Sequence, residues 1–133
     1  LANAGLGAVH GLAAPIGGRF SAPHGAVCAA LLPAAMRVNL DALRARAPHA
    51  PVVARFASVA RTLTGDEHAN AEDGIALLDS LRADLGIPGL AHYGVTPADV
   101  TALAEAGSRA SSMKGNCIAL EPGELRRLVE MAL

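Results

Sequence analysis

Two histidines, His10 and His24, lie in otherwise apolar surroundings early in the chain. Burying an unpaired polar group costs about 1–3 kcal/mol, so each ring needs a hydrogen-bond partner or a metal. One interpretation of His10 alone is a core histidine bonded to a neighbouring carbonyl. His24 follows Pro23 at the predicted start of a helix, where the positive end of the dipole favours a neutral ring with a free lone pair. Two such rings on consecutive helices can converge on a divalent cation.

Other metal ligands are less apparent in the sequence, although catalytic metal sites normally supply three or more protein ligands. Cys28 follows His24 by one helical turn and could join it, but a small thiol among alanines more often only packs. His49, His68 and His92 lie in polar or loop contexts without paired spacing, so we expect them at the surface. Further ligands must come from elsewhere.

The glycine-rich stretch GLGAVHGLAAPIGG, residues 5–18, raises the question whether the phosphates of a dinucleotide bind here. That fingerprint needs glycine at its first, third and sixth positions, directly after a β-strand. The sixth position is His10, and the preceding LANA is too short and too rich in alanine to be the strand. We therefore do not expect a phosphate-binding loop in this stretch.

Composition restricts the function classes. The chain has 133 residues, of which 52% are hydrophobic and 17% charged, as expected for one globular domain. A net charge of −1, dispersed basic residues and few aromatic residues predict no nucleic-acid partner. The longest apolar run, residues 26–36, is too short to cross a membrane and contains Pro33. Two lone cysteines and the lack of a signal peptide predict a cytoplasmic protein without disulfides.

Alanine and leucine at helical spacing predict an all-α helical bundle, with proline and glycine at the predicted helix ends. The expected helices cover residues 2 to about 14, 23 to about 43, 51 to a cap at 65, 71 to about 85, 97 to about 106, and 122 to 133. We expect a kink at Pro33 and a first helix that ends at Pro15 and Gly17-Gly18. The third helix carries the apolar stripe Val52, Val53, Phe56, Val59, Ala60 and Leu63, and the fourth turns Ile75, Leu78, Leu81 and Leu85 inward.

The segment GLGAVHGLAAPIGGRFSAPHGAVCAALLPAAMRVN resembles the signature of the iron-containing (group III) alcohol dehydrogenases. That signature is a histidine, a short turn with proline and two glycines, and P-H-G followed by an apolar helix with L-L-P. A looser resemblance extends through ARFASVARTLTG, LGIPGLAHYGVTPADV and SRASSMKGNCIALEPGELRRLVEMAL. The family has a two-domain, dehydroquinate synthase-like fold. The resemblance implies that residues 1–133 are its C-terminal helical metal-binding domain, part of a longer polypeptide whose N-terminal nucleotide-binding α/β domain is absent from this chain.

The resemblance makes His10 and His24 ligands of Fe(2+), or of Zn(2+), with an aspartate and a further histidine expected upstream of this chain. NAD or NADP would be bound mainly by the absent N-terminal domain. Ala14 stands where many relatives have a second histidine, which implies a wider substrate pocket. Phe20 and Ser112 are candidates for further pocket walls, and a purely structural role is the equal alternative for both. The family usually has proline after the asparagine near the end, but Asn116 is followed by cysteine, which leaves the geometry of that loop open.

The implied function is that of a metal-dependent, NAD(P)-linked alcohol dehydrogenase or aldehyde reductase, with a small alcohol or aldehyde substrate and a homodimeric or higher assembly. The metal would serve as a Lewis acid during hydride transfer. Alone, this chain is expected to be inactive. Two alternatives remain. One is a metal-independent reductase of the same fold, similar to maleylacetate reductase, to which Ala14 gives weight. The other is a non-enzymatic helical interaction module that buries its apolar first helix against a partner.

Overall fold

The computed structural model describes residues 5–133, which form six α-helices and three short 3₁₀ helices and contain no β-strand. The predicted all-α class is thereby confirmed. The α-helices are α1 (Ala8–Phe20), α2 (His24–Arg46), α3 (Pro51–Thr64), α4 (Ala71–Asp84), α5 (Val100–Ser108) and α6 (Pro122–Met131). The 3₁₀ helices are Leu90–Tyr93, Pro97–Asp99 and Ser111–Gly115.

Local capping signals located most helix ends correctly. Pro51 is the first residue of α3, and Gly65 follows its end with a φ of 74°, the left-handed conformation that glycine adopts readily. Thr96 begins the next helical segment with a capping box to Asp99, as predicted. The last helix likewise begins at Pro122 with a capping box from Glu121. These helix ends depend on hydrogen bonds between residues a few positions apart, so the residue types at those positions are enough to predict them.

The predicted end of the first helix is wrong. Helix α1 continues through Pro15, Gly17 and Gly18 to Phe20. Its predicted start is wrong as well, because residues 5–7 are not helical and α1 begins at Ala8, while residues 2–4 lie outside the described residues. An interior proline costs a helix about 3 kcal/mol, so tertiary contacts must offset that cost. They come from a buried face of α1 formed by Ala8, Gly11, Leu12, Ala13 and Ile16.

Helix α1 lies at the centre of the main core and packs against both α2 and α5. Its Leu12 and Ile16 are fully buried. The approach to α5 is so close that a Cβ atom at Gly107 would lie 2.5 Å from Cδ2 of Leu12. Small residues at this crossing let the two helices pack side by side, which fixes the position of α1 in the fold.

Helices α3 and α4 form a second, outer pair, and part of their apolar surface is open. Ile75 is buried as predicted, but Leu81 and Leu85 are 48% and 65% exposed. Val59 and Leu63 of the predicted stripe are also exposed. The prediction of four inward residues in α4 was therefore wrong for its C-terminal half. The reason is that α4 packs on α3 and α2 mainly through its first turns, around Ala71, Gly74 and Ile75.

Helix α2 is long and apolar enough to cross a membrane by length and composition alone, but 61% of its most apolar 18-residue window is buried inside the fold. It runs without interruption through Pro33. Leu31, Val38 and Leu43 are buried along it. This burial is typical of a core helix.

Asn116 joins the N-terminus of α1 to α2 and to the C-terminal loop. Gly7, which precedes α1, has no side chain to cap it, and Asn116 supplies the cap instead, because its Oδ1 accepts the Ala8 N–H at 3.0 Å. Asn116 Nδ2 donates to Asn39 Oδ1 at 2.6 Å and to the Ile118 carbonyl at 2.8 Å. Asn39 Nδ2 returns a longer bond of 3.4 Å to Asn116 Oδ1. The loop therefore keeps a defined geometry although cysteine follows Asn116.

Glycine allows this close approach of the backbone. A Cβ atom at Gly7 would lie 2.8 Å from Asn116 Oδ1, and one at Gly115 would lie 2.1 Å from the Leu6 carbonyl oxygen. Glycine is therefore required for close packing at these positions. At Gly18 it is not, because a Cβ atom there would meet nothing within 4 Å.

The other end of α1 is held by charge. Arg19 in its last turn forms an ion pair of 2.6 Å with Asp99 at the start of α5. The Thr96 hydroxyl donates to the same carboxylate at 2.7 Å, and this hydrogen bond is the main cause that lowers the pKa of Asp99. Contacts from distant parts of the chain thus hold both ends of α1.

Replacing Asn116 by alanine should lower the free energy of unfolding by about 1–3 kcal/mol, because it leaves the Asn39 amide and the Ala8 N–H without their partner. Urea unfolding of the natural polypeptide that carries this chain measures the change. Cys117→Ser is the matched control on the neighbouring exposed residue and should change stability by less than about 0.5 kcal/mol. An equally small effect of Asn116→Ala would contradict the capping role.

Candidate metal centre

The structure brings His10 and His24 together, as the sequence predicted. His10 is the third residue of α1, and His24 is the first residue of α2. Their ring centroids lie 5.5 Å apart with the ring planes tilted by 52°. His10 is half-buried and His24 is exposed. The two rings can therefore direct nitrogen lone pairs at a common point.

The turn that brings His24 toward His10 is not made by glycine, contrary to expectation. Gly17 and Gly18 lie inside α1, and the residue with left-handed backbone is Ser21, with a φ of 50°. Pro23 then holds extended backbone directly before α2. The left-handed backbone of Ser21 was not predicted, because serine gives a much weaker signal for this conformation than glycine.

Cys28 is the third potential ligand at the same place. It lies one turn after His24 on α2, and its Sγ is 3.5 Å from His24 Nε2. Ligand atoms of His10, His24 and Cys28 all lie within 4.8 Å of one another. Burial raises the pKa of the Cys28 thiol above its ordinary value. The predicted packing role of this cysteine is confirmed, because Cys28 is half-buried and packs against the main core, and its sulfur also lies beside His24.

A cleft of about 480 Å³ opens beside these side chains. Its wall is mostly apolar, with polar groups from His10, Cys28, Asn39 and Asn116. The rest of the lining comes from the segment before α1 and from one face of α2: Gly5, Leu6, Gly7, Ala8, Val9, Ala29, Leu32, Ala35 and Met36. An apolar cleft with a few convergent polar groups is the usual form of a small-molecule site.

The three residues implied as substrate-pocket walls do not line this cleft. Ala14 is exposed on α1, one turn after His10. Phe20 is half-buried at the end of α1, packs against the main core, and has the Arg19 guanidinium 5.2 Å from its ring centroid. Ser112 is half-buried in the 3₁₀ helix Ser111–Gly115. Their part in substrate binding stays a prediction.

The remaining histidines follow the sequence analysis. His49, His68 and His92 are all exposed, as expected. His92 stacks edge-on against Tyr93 at a centroid distance of 5.0 Å. Among the described residues, the side chains that could together bind a metal are therefore those of His10, His24 and Cys28.

The donor set fits a divalent transition metal. Imidazole nitrogen suits iron and zinc, and thiolate sulfur suits zinc in particular. His10 and His24 belong to different helices whose positions are fixed by tertiary contacts, so little ordering would be needed on metal binding. The chemistry and spacing of the residues present are therefore compatible with a metal.

Residues 1–133 match the sequence model of the Fe-containing alcohol dehydrogenase family, C-terminal part. The lactaldehyde reductase of Escherichia coli strain K12 is 38% identical over 106 residues, which are 78% of this chain and 26% of that protein. The 1,3-propanediol dehydrogenase of Klebsiella pneumoniae is 38% identical over 109 residues, which are 77% of this chain and 26% of that protein. The chain thus spans about a quarter of the length of the curated relatives it matches.

Solved structures show the same relationship. A crystal structure of 1,3-propanediol oxidoreductase has a TM-score of 0.81 and 30% identity, covering 96% of this chain and 33% of that one. An alcohol dehydrogenase from Oenococcus oeni has a TM-score of 0.79 and 31% identity, and the match covers 98% of this chain and 33% of that one. An iron-containing alcohol dehydrogenase from Thermococcus thioreducens has a TM-score of 0.74 and 25% identity, and the match covers 96% of this chain and 32% of that one.

Substituting glycine for Ser21 should raise the free energy of unfolding by about 0.5–1 kcal/mol, because glycine adopts the left-handed conformation without a steric penalty. Thermal and urea unfolding test this. The control is Ser58→Gly at an exposed position inside α3, which should lower stability by a similar amount. A loss of stability in Ser21→Gly would show that the turn does not need this backbone conformation.

Proposed function

The chain belongs to the Fe-containing alcohol dehydrogenase family, whose C-terminal part it matches, and we propose that it is the helical metal-binding domain of an NAD(P)-linked alcohol dehydrogenase or aldehyde reductase. The observation that carries this proposal is the convergence of His10 and His24, with ring centroids 5.5 Å apart beside an apolar cleft. By their names, the relatives act on lactaldehyde and 1,3-propanediol. We therefore propose a small alcohol or aldehyde as substrate.

In this proposal, His10 and His24 donate ring nitrogens to a divalent iron or zinc ion, and the remaining ligands come from residues upstream of this chain. Such an ion supplies Lewis-acid chemistry when bound, since it polarises the substrate oxygen and lowers the pKa of an alcohol. The chain's own task is to present both rings to the ion and to hold them in place. The contacts at the two ends of α1 and the Ser21 turn serve that task.

The wall of the cleft gives the proposed metal and substrate site apolar surroundings. Val9, Leu32 and Met36 line it next to His10 and Cys28. Side chains of this kind exclude water from the space that a small substrate or the nicotinamide ring would occupy, which strengthens the electrostatic interactions there. Asn39 and Asn116 are already bonded to each other, so they shape the wall.

NAD or NADP is proposed to bind mainly to an N-terminal α/β domain outside this chain. In the part of the chain that the structure describes, the early glycines serve other purposes. Gly7 and Gly11 meet close neighbours, Asn116 and Met113, and Gly17 and Gly18 are helical. None of them follows a strand in this range, as a phosphate-binding loop requires. Homo-oligomeric assembly and a cytoplasmic location stay predictions.

A metal-independent reductase is the second candidate, and Ala14 favours it. This residue lies on the same face of α1 as His10 and gives that face no second imidazole. His24 is also exposed in this chain, so a role without metal is compatible with its surroundings. The two candidates differ in whether His24 is needed for turnover.

His24→Ala in the natural polypeptide should reduce bound metal from about one ion per chain to nearly none and lower kcat/KM at least about a hundredfold, because Lewis-acid stabilisation contributes several kcal/mol. Metal content after anaerobic purification and turnover of small primary alcohols with NAD⁺ and NADP⁺ measure both effects. His92→Ala is the matched control at an exposed histidine and should retain metal and activity.

Each alternative gives a different result in this experiment. Turnover that survives His24→Ala would identify a metal-independent reductase. A wild-type polypeptide that carries no metal and turns over no alcohol or aldehyde would contradict the enzyme proposal and favour an interaction module.

A further inference from the structure

The sulfur of Cys28 lies beside the two histidines that are proposed to bind a metal, and it could add a ligand to those that come from upstream. Its distance of 3.5 Å to His24 Nε2 joins two atoms on the same face of α2, one turn apart. His10 approaches from the neighbouring helix, and the three ligand atoms all lie within 4.8 Å of one another. One soft and two borderline donors therefore lie near one another.

The separation of the two donors on α2 is close to that of two ligands on one metal ion. Tetrahedral zinc with a bond of about 2.05 Å to nitrogen and about 2.3 Å to sulfur separates the two ligand atoms by about 3.6 Å. The observed separation of Cys28 Sγ and His24 Nε2 is 3.5 Å. The ligand atoms of the whole group lie within 4.8 Å of one another, so the proposal requires the half-buried His10 ring to move closer when a metal binds.

We propose that Cys28 is a third ligand at the His10–His24 site, and that its sulfur increases the preference of the site for zinc over iron(II). The inference rests on the function proposed above, because it assumes that the two histidines bind a metal. It deepens that proposal by naming an additional ligand and the metal that it selects.

The chemistry of ligation balances without a redox partner. The S–H bond of Cys28 breaks, its proton passes to solvent, and the resulting thiolate forms a bond to the divalent ion. Thiolate is a soft ligand that suits zinc, whereas iron(II) gains less from replacing an oxygen donor by sulfur. The alternative is an S–H···N hydrogen bond to His24, which needs no metal and gives no preference between the two ions.

Cobalt(II) is a suitable probe, because it takes zinc sites and is coloured. In the cobalt-loaded natural polypeptide we expect ligand-field bands in the visible range together with a sulfur-to-cobalt charge-transfer band in the near ultraviolet. Cys28→Ser should lose the charge-transfer band and keep ligand-field bands. Cys117→Ser, at the other free cysteine, is the matched control and should keep both.

The outcomes separate this inference from the function on which it rests. Ligand-field bands without a charge-transfer band in the wild-type protein would overturn Cys28 ligation and leave the histidine site intact. A wild-type protein that binds no cobalt would overturn both. The absence of the charge-transfer band in the wild-type protein overturns Cys28 ligation without any variant, so the test stands even where Cys28→Ser folds poorly.

Metal selectivity is the second readout. Anaerobic equilibrium dialysis against both zinc and iron(II) gives the ratio of the two bound ions. Cys28→Ser should lower the zinc-to-iron ratio at least about tenfold, since even partners of metal ligands change affinity by about 10–100-fold. An unchanged ratio would contradict the proposed selectivity.

Discussion

The cap that Asn116 gives to α1 is the contact on which the arrangement of the site depends most. A helix that begins after glycine has no local side chain to satisfy its first N–H groups, and here the partner comes from the far end of the chain. The same amide is paired with Asn39 in α2. A single side chain therefore fixes the start of α1 relative to α2 and to the loop before α6. The cleft wall forms where these segments meet.

The site follows from that placement by short-range geometry. His10 is in the first turn of α1, two residues after Ala8, whose N–H is capped, so any shift of the helix start would move its ring. The left-handed Ser21 reverses the chain, and Pro23 starts α2 at His24. The 3.6-residue period then places Cys28 beside His24. Three potential ligands are thus held by two helices and one turn, a rigid arrangement that suits metal binding.

The sequence predicted best what local signals determine. The all-α class, the start of α3 at Pro51, the capping box of Thr96 and the pairing of the two histidines all rest on periodicity, caps or spacing. What it missed depends on distant contacts. Helix α1 continues past Pro15 because one face of it is buried, although the low helix propensity of proline would end it there. Asn39 belongs to no motif, and its role appears only when Asn116 arrives beside it from 77 residues away.

The exposed leucines at the end of α4 show the same limit, because an apolar period predicts a buried face without saying what covers it. Cys28 is a related case. Its composition-based interpretation as a packing residue was reasonable, and only the distance to His24 Nε2 gives it a chemical neighbour.

The measurement that tests the central claim most directly is anomalous diffraction at the iron and zinc absorption edges from a crystal of the natural polypeptide. The claim that His10 and His24 bind a metal predicts one anomalous peak between the two rings, about 2.0–2.2 Å from a nitrogen of each. Rings bonded to backbone carbonyls, with no anomalous density between them in a crystal grown with both metals, would contradict it.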